Sequence, residues 1–412
     1  LNQQNGEQVS IKEAYRFIIK LGLAAHNYGS TSAELEAYLT RLTTTLGYHG
    51  TFTSTPNEVI FAFQEKEDQW QKLHLVTKPG TGSDLDKLAR VGDIVASVEA
   101  EEISLPDASA RLDEIAKTPP PWGKIANLMS YAFCGWGLAI LFGGGWIDAL
   151  VATLLSVLVY GMVLFAGRQD ARMADWLPLY SAFVVAVLAT MVKIGFPELN
   201  IFTVILSSIA VLLPGYTVTL GVIELVSQDV VSGTTNLMNG LVYLVKQILG
   251  SWLGVGLVSA LLTIPTAAAG TPVNSAWLWL FMPLVIAALG FIFQTNPRDF
   301  LWVCVGCTVA YGGILLGSAV VSANLGTLLG TIFTVIFANL WARSTNRPVT
   351  IVLLPAIVLL VSGSIGFRGL AAIVEGQTIT GLQEFLQMFV VALLIVGGLL
   401  VGNTIVRPKS SL

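Results

Sequence analysis

Pro214–Gly215–Tyr216–Thr217–Val218–Thr219–Leu220–Gly221–Val222–Ile223–Glu224–Leu225–Val226–Ser227–Gln228–Asp229–Val230–Val231–Ser232–Gly233 is the stretch on which the fold turns. It is too polar to face lipid and too apolar for a freely solvated loop. A broken or re-entrant helix lining a cavity fits it best, because irregular backbone at membrane depth persists only against protein or water. Proline removes an amide donor and glycine tolerates unusual dihedrals, so a helix ends at Pro214–Gly215. The helix that restarts there aims free N–H groups and its positive dipole end at an anion such as a carboxylate. Glu224 and Asp229 are candidates to hold an ammonium or to carry a proton, since ionisable groups within membrane regions are usually functional. The plainer alternative is an amphipathic surface helix with both acids in water.

The sequence around this stretch changes solvent partway along. Residues 1–124 hold 12 of the 22 Lys and Arg and 17 of the 26 Asp and Glu, leaving 19 charges for the other 288 positions. A hydrophobic content of 54% and a mean hydropathy of +0.72 lie outside the range of ordinary globular chains. A span needs about 20 mainly apolar residues. By that standard we read ten segments, 125–141, 147–166, 176–194, 199–213, 236–264, 275–294, 300–321, 325–342, 349–362 and 384–406, the fourth of each half being short and stopping at a break.

Arginine placement sets the orientation. Arg168, Arg172, Arg298, Arg343, Arg347, Arg407 and Lys409 fall on one side of the connections, Lys193 and Arg368 on the other. The positive-inside rule then places both termini in the cytoplasm of a multi-pass protein of the cytoplasmic (inner) membrane. The polar start, Leu1 to Ser10, lacks the pattern of a secretory signal, in keeping with that side.

The two halves echo each other. Val159–Tyr160–Gly161 returns as Ala310–Tyr311–Gly312, and Val211–Leu212–Leu213–Pro214–Gly215 as Leu359–Leu360–Val361–Ser362–Gly363. Five spans per half is an odd number, so the second half enters the membrane upside down. Inverted repeats around a central site are a recurrent transporter architecture. The expected fold is an α-helical polytopic membrane protein: ten transmembrane helices in two inverted five-helix repeats with broken or re-entrant helices, plus a small soluble α+β N-terminal domain. Its parts are residues 1–118, a proline-rich connector at 119–124, and repeats at 125–270 and 271–412.

Within the N-terminal domain, helical spacing predicts helices over Ile11–His26, from Glu34 to Gly47, near Asp84–Val98 and over Leu105–Ile115. Ser30, Thr31 and Ser32 offer caps for the second, with near-capping-box spacing from Ser30 to Glu34. Val59–Phe63 and Leu73–Val76 read as strands around the charged turn Glu65–Asp68. Trp122 after three prolines reads as an interfacial anchor. His26, His49 and His74 lack metal-ligand spacing, and Cys304–x–x–Cys307 lies in an apolar run without a second pair, so no metal and no cofactor is expected. No basic block suggests nucleic acid, and no G-x-x-x-x-G-K-[ST] loop suggests ATP.

The span after the opening stretch carries Asn236, Asn239, Tyr243, Lys246 and Gly250 on one helical stripe. Lys246 needs a partner there, which Glu224, Asp229 or a bound carboxylate would supply. At an offset of 148, Asn236 and Asn239 correspond to Glu384 and Gln387. The candidate substrate site is therefore Pro214, Gly215, Thr217, Thr219, Glu224, Asp229, Ser232, Gly233, Asn236, Asn239 and Lys246 with Ser362, Gly363, Ser364, Glu384 and Gln387, proton coupling falling to Glu224 and Asp229. A zwitterion would set its carboxylate at the Pro214–Gly215 helix start, near Thr217 and Thr219, and its ammonium at Glu224 or Asp229.

Over nearly its full length the chain resembles the threonine/serine exporter family. The resemblance rests on Leu23–Ala24–Ala25–His26–Asn27–Tyr28–Gly29–Ser30–Thr31–Ser32–Ala33–Glu34–Leu35–Glu36, Gly47 and Thr53–Ser54–Thr55–Pro56 in the first domain. In the membrane part it rests on Leu213 to Leu225, Ser232–Gly233 and Leu360–Val361–Ser362–Gly363. Three positions differ: Ser362 replaces a usual proline, Thr234–Thr235–Asn236 stands where an arginine commonly follows Ser-Gly, and Glu34 replaces a basic residue. The resemblance implies export of small amino acids (threonine, serine) driven by protons, through a ten-span domain with a cytoplasmic N-terminal domain. Relatives linked to dicarboxylate export leave another small carboxylate open as substrate. Chemistry in the N-terminal domain of a membrane-anchored enzyme, and assembly into a homo-oligomer, also stay open.

Overall fold

The computed structural model describes residues 2–64, 71–77, 82–169, 171–320, 322–360 and 363–408. The N-terminal region is α+β: α1 (Asn2–Tyr28), α2 (Ser32–Thr45), β1 (His49–Thr55), β2 (Glu58–Gln64), β3 (Gln71–Thr77), α3 (Leu85–Glu99) and α4 (Leu105–Lys117). Its three strands form one antiparallel sheet in the order β1-β2-β3, with Phe52 opposite Phe61 and Phe61 opposite His74. Phe17, Leu21, Leu39, Phe61, Leu88 and Leu112 join the helices to one face of that sheet in a single core. The cap of α2 is Thr31 rather than Ser30: its hydroxyl accepts from the Glu34 N–H while the Glu34 carboxylate accepts from the Thr31 N–H. The reciprocal pair meets two of the orphan donors at the helix start. β1 was not foreseen, and the turn Glu65–Asp68 lies outside the described residues.

Twelve helices follow: α5 (Lys124–Leu141), α6 (Trp146–Ala166), α7 (Ala171–Gly195), α8 (Ile201–Ser208), α9 (Gly215–Val226), α10 (Val230–Leu261), α11 (Leu278–Ile292), α12 (Phe300–Val320), α13 (Ala323–Thr345), α14 (Thr350–Leu360), α15 (Gly363–Val374) and α16 (Thr378–Ile405). Among the described residues, nine helical segments are long and apolar enough to cross a membrane. The pair α8 and α9, bent by 55° across a break, makes up to ten. The expected fourth span, 199–213, is thus only the first arm of a bent pair that continues to Val226. The chain is a helical polytopic membrane protein.

Glycines set the helix contacts, and they do so at matching places. A Cβ on Gly221 would lie 2.7 Å from the Leu237 amide nitrogen and 2.8 Å from the Gly233 carbonyl, so α9 and α10 touch backbone to backbone. Gly369, 148 positions on, meets the Phe385 nitrogen at 2.5 Å and the Gly381 carbonyl at 2.8 Å between α15 and α16. Gly250 and Gly254 press α10 on α7, and Gly398 and Gly402, again 148 further, press α16 on α13. Such small-residue contacts let membrane helices associate where no hydrophobic force acts between them. Gly221→Val is therefore expected to prevent assembly of the α9–α10 pair, read as loss of the folded, monodisperse protein in detergent; Gly256→Val, with open space at its Cβ position, should be tolerated.

The first helices of the two halves, α5 and α11, run antiparallel. Asn127 near the start of α5 accepts from Gln294 just past α11, while Trp146 beyond the end of α5 packs on Trp277 before α11, centroids 5.3 Å apart. Trp122 is half-buried against the second half of the membrane part. Its indole N–H donates to the Thr295 carbonyl at 2.6 Å and its rings contact Phe291 and Phe300, so it fastens the connector to the loop between α11 and α12.

Candidate functional site

The α9–α10 hairpin builds the site. Glu224 lies in the last turn of α9, and Asn236 in the second turn of α10. The Gly221–Gly233 approach brings them together, and the Asn236 amide donates to Glu224 Oε2 at 2.7 Å. Glu224 is 5% exposed, and its Oε1 has no hydrogen-bond partner. A buried polar atom left unpaired costs about 1–3 kcal/mol, which makes this oxygen a candidate to receive a ligand or a proton. Asp229 turns the hairpin: its carboxylate caps α10 by accepting from the Ser232 N–H at 3.2 Å.

Glu224 opens onto two cavities, and the N-terminal region lines part of both. One of about 470 Å³ is lined by Glu34, Tyr38, Tyr216, Glu224, Thr350 and Asn403; a second of about 290 Å³ by His26, Ser32, Thr217, Glu224 and Asn236. Pockets of this size suit small molecules. The Thr350 hydroxyl donates to Glu34, 2.8 Å to Oε1 and 3.0 Å to Oε2, and the Ser232 hydroxyl donates to the Ser54 carbonyl at 3.3 Å. On the other flank, the Leu85 and Asp86 N–H groups donate to the Phe293 and Gln294 carbonyls. Arg347 pairs with buried Asp299 and also reaches Asp93 on α3, and Asn296 donates to buried Asp86. Burial pushes the His26 imidazole below its ordinary 6.5, so this wall of the smaller cavity is uncharged at neutral pH.

Further along, the two helix breaks meet. A Cβ on Gly363 would lie 3.0 Å from the Gly215 Cα, so the starts of α9 and α15 sit side by side. A cavity of about 320 Å³ is lined there by Gly215, Tyr216, Gly363 and Ser364. Nine residues of helix separate Gly215 from Glu224, about 13 Å at 1.5 Å per residue. The carboxylate and ammonium of one amino acid share a carbon, so one molecule does not bridge these points. The expected pose therefore divides into two separate places.

Other expected residues disperse. Lys246 does not reach Glu224 or Asp229; its ammonium donates to the Asp175 carbonyl at 2.8 Å and lies over the Trp176 ring, at the α7 face of α10. A long flexible stem lets lysine carry its charge away from an apolar interior. Asn239 is exposed, Gln387 donates to Asn324, and Glu384 stands 3.9 Å from Arg368, none of them beside Glu224. Thr217 lines the smaller cavity, while Thr219 is buried and lines neither of the two. Pro214 is the buried cap of α9, Gly233 serves helix packing, and Ser362 lies outside the described residues. Glu34, Tyr216, Thr350 and Asn403 were missed as site residues. Among the described residues, no group of three or more His, Cys, Asp or Glu could hold a metal.

A bent helix pair beside a cavity is an arrangement that recurs among transporters, where discontinuous membrane helices line the site. Comparison with family models is specific. Residues 16–258 match the family described as "Putative threonine/serine exporter" and residues 278–405 match "Threonine/Serine exporter, ThrE". The chain belongs to the threonine/serine exporter family. Similar curated proteins include pheromone-regulated membrane protein 10 of Candida albicans, 26% identical over 378 residues, covering 87% of this chain and 33% of that protein. Those of Kluyveromyces lactis (26%, covering 90% and 40%) and Saccharomyces cerevisiae (25%, covering 91% and 50%) are alike in degree. The chain thus spans a third to a half of the length of these relatives. No solved structure matches.

Proposed function

We propose that this chain is a secondary active transporter that exports small amino acids, threonine and serine among them, in exchange for protons. The observation that carries the reading is the Glu224 carboxylate: buried, held on one oxygen by Asn236, and unpaired on the oxygen that remains. A substrate ammonium and a proton would compete for it, and that competition is what antiport needs. Asp229 lies on the same cavity as a second acid, and Glu34 is a third. These acids outnumber Arg41, the basic residue on the same lining, which pairs with Glu99, and so favour a substrate carrying an ammonium over a dicarboxylate.

We read residues 125–270 and 271–412 as inverted five-helix repeats, joined through the connector 119–124 to a cytoplasmic domain of residues 1–118. The antiparallel α5 and α11 and the glycine contacts repeated at 148 support this. So does a cavity of about 430 Å³ lined by Ile201, Phe202, Ile205, Ser251, Val255 and Ala371. Counted 148 positions on or back, these are Val349, Thr350, Leu353, Leu399, Asn403 and Ile223, all of which line the cavity of Glu224. Inverted halves would turn these two hollows to opposite ends, as alternating access needs, with residues of the N-terminal region lining one of them. Both termini would then lie in the cytoplasm. The test is counterflow in proteoliposomes of the full chain across an imposed pH gradient. Labelled threonine and serine should exchange and respond to the gradient while succinate should not; succinate flux without threonine flux would overturn the reading.

A further inference from the structure

Glu34 is a carboxylate from one domain lodged at the head of a helix in another. Both of its oxygens accept from the Thr350 hydroxyl, 2.8 and 3.0 Å away, and Thr350 is the first residue of α14. The start of a helix carries the positive end of its dipole, so this position favours an anion. Thr350 is itself buried, and Glu34, Thr350, Tyr216 and Glu224 line one cavity. The cavity thus has an anionic end at Glu224, whose Oε1 is unpaired, and a place at Thr350 where a carboxylate already sits.

We propose that the Thr350 hydroxyl, placed at the head of α14, is the carboxylate subsite of the transported amino acid, and that Glu34 is a tethered stand-in for that carboxylate. The Ile351, Val352 and Leu353 N–H groups are already taken by the Pro348 and Val349 carbonyls, so the hydroxyl is the donor. The idea rests on the reading of the Glu224 cavity as the substrate site, and it corrects the earlier pose. The carboxylate is received at α14, not at the distant start of α9. When substrate arrives from the side of the N-terminal domain, its carboxylate displaces Glu34 from Thr350 within the cavity that Glu224 also lines. The N-terminal domain loses one of its holds and opens the cavity. Glu34 also closes the capping box of α2, so Glu34→Gln preserves that cap, since Gln serves in the same role. Its neutral amide is a weaker competitor for the subsite.

The experiment uses the full chain, with two readouts. Hydrogen exchange over residues 31–38 and 349–354 reports docking, and threonine flux with substrate on the N-terminal-domain side reports transport. Threonine should raise exchange in both segments of the wild type, and propionate, a carboxylate without an ammonium, should do so more weakly. Glu34→Gln should raise exchange without ligand and lower the threonine KM at least threefold. Thr350→Val should raise that KM at least tenfold and abolish the response to both ligands, while Thr350→Ser retains it. In the double variant the gain from Glu34→Gln should vanish. If neither carboxylate alters exchange and Glu34→Gln leaves KM unchanged, the stand-in proposal is overturned even where threonine flux persists. If carboxylates release the domain but no amino acid is carried, the subsite stands and the transport reading falls.

Discussion

Glu224→Gln should insert and fold as the wild type does, yet lose all pH-driven accumulation of threonine. The amide has the shape of the carboxylate, and its carbonyl oxygen can still accept from Asn236, which now donates at 2.7 Å. What it cannot do is gain and lose a proton. For one-for-one exchange, each unit of pH difference is worth 1.36 kcal/mol, about a tenfold substrate gradient. The variant should hold that ratio near one at any imposed gradient. Exchange of labelled for unlabelled threonine should continue at reduced rate, because Asp229 and Thr350 still line the cavity. Thermal stability should be equal or higher, since a buried, half-paired charge has been removed. A variant that accumulates threonine uphill at the wild-type ratio would remove Glu224 from the coupling step, and one that fails to fold would make it a structural residue.

The sequence disclosed the helices of this protein far better than their partners. Periodic apolar spacing located α1, α2, α3 and α4, and hydropathy located the spans, because both signals are local. β1 escaped because His49–Gly50–Thr51–Phe52–Thr53–Ser54–Thr55 is a polar strand whose buried positions, Phe52, Ser54 and Thr55, do not alternate cleanly. Glu224 and Asn236 were legible as candidates, since 12 positions and one capped turn separate them. Glu34 and Thr350 lie 316 positions apart, and no local pattern pairs them. Lys246 misled for a different reason. Sequence places its Cα on a polar stripe, whereas the stem carries the ammonium to the Asp175 carbonyl on α7. The short matches at an offset of 148 were visible in the sequence, whereas the matching contacts of glycines such as Gly221 and Gly369 appear only in the helix packing.

Arg347→Ala should release the N-terminal domain from the membrane part without unfolding either. Arg347 precedes α14, pairs with Asp299 before α12, and reaches Asp93 on α3 of the N-terminal domain at 3.8 Å. Asp299 is 4% exposed, so the change strands a buried carboxylate as well as cutting the tie to Asp93. Breaking a buried pair by removing one partner costs about 3–5 kcal/mol. That is enough to shift docking by two or more orders of magnitude, whereas the core of the N-terminal domain, around Phe17, Leu39 and Phe61, does not include Arg347. Exchange over residues 31–38 and 85–93 should rise sharply while the interior of β2 stays protected. The pH dependence has a definite sign. Burial pushes the Asp299 carboxyl above its ordinary value even with Arg347 beside it, and without the guanidinium that upward push is unopposed by its partner. A carboxyl raised in the docked state favours docking below its ordinary value, and that contribution is lost as pH rises through its docked value. The defect of Arg347→Ala should therefore shrink on acidification, and Arg347→Ala with Asp299→Asn should recover most of the docking at neutral pH. Equal exchange in the single and double variants would mean that the Asp93 tie, rather than the stranded Asp299, sets the cost.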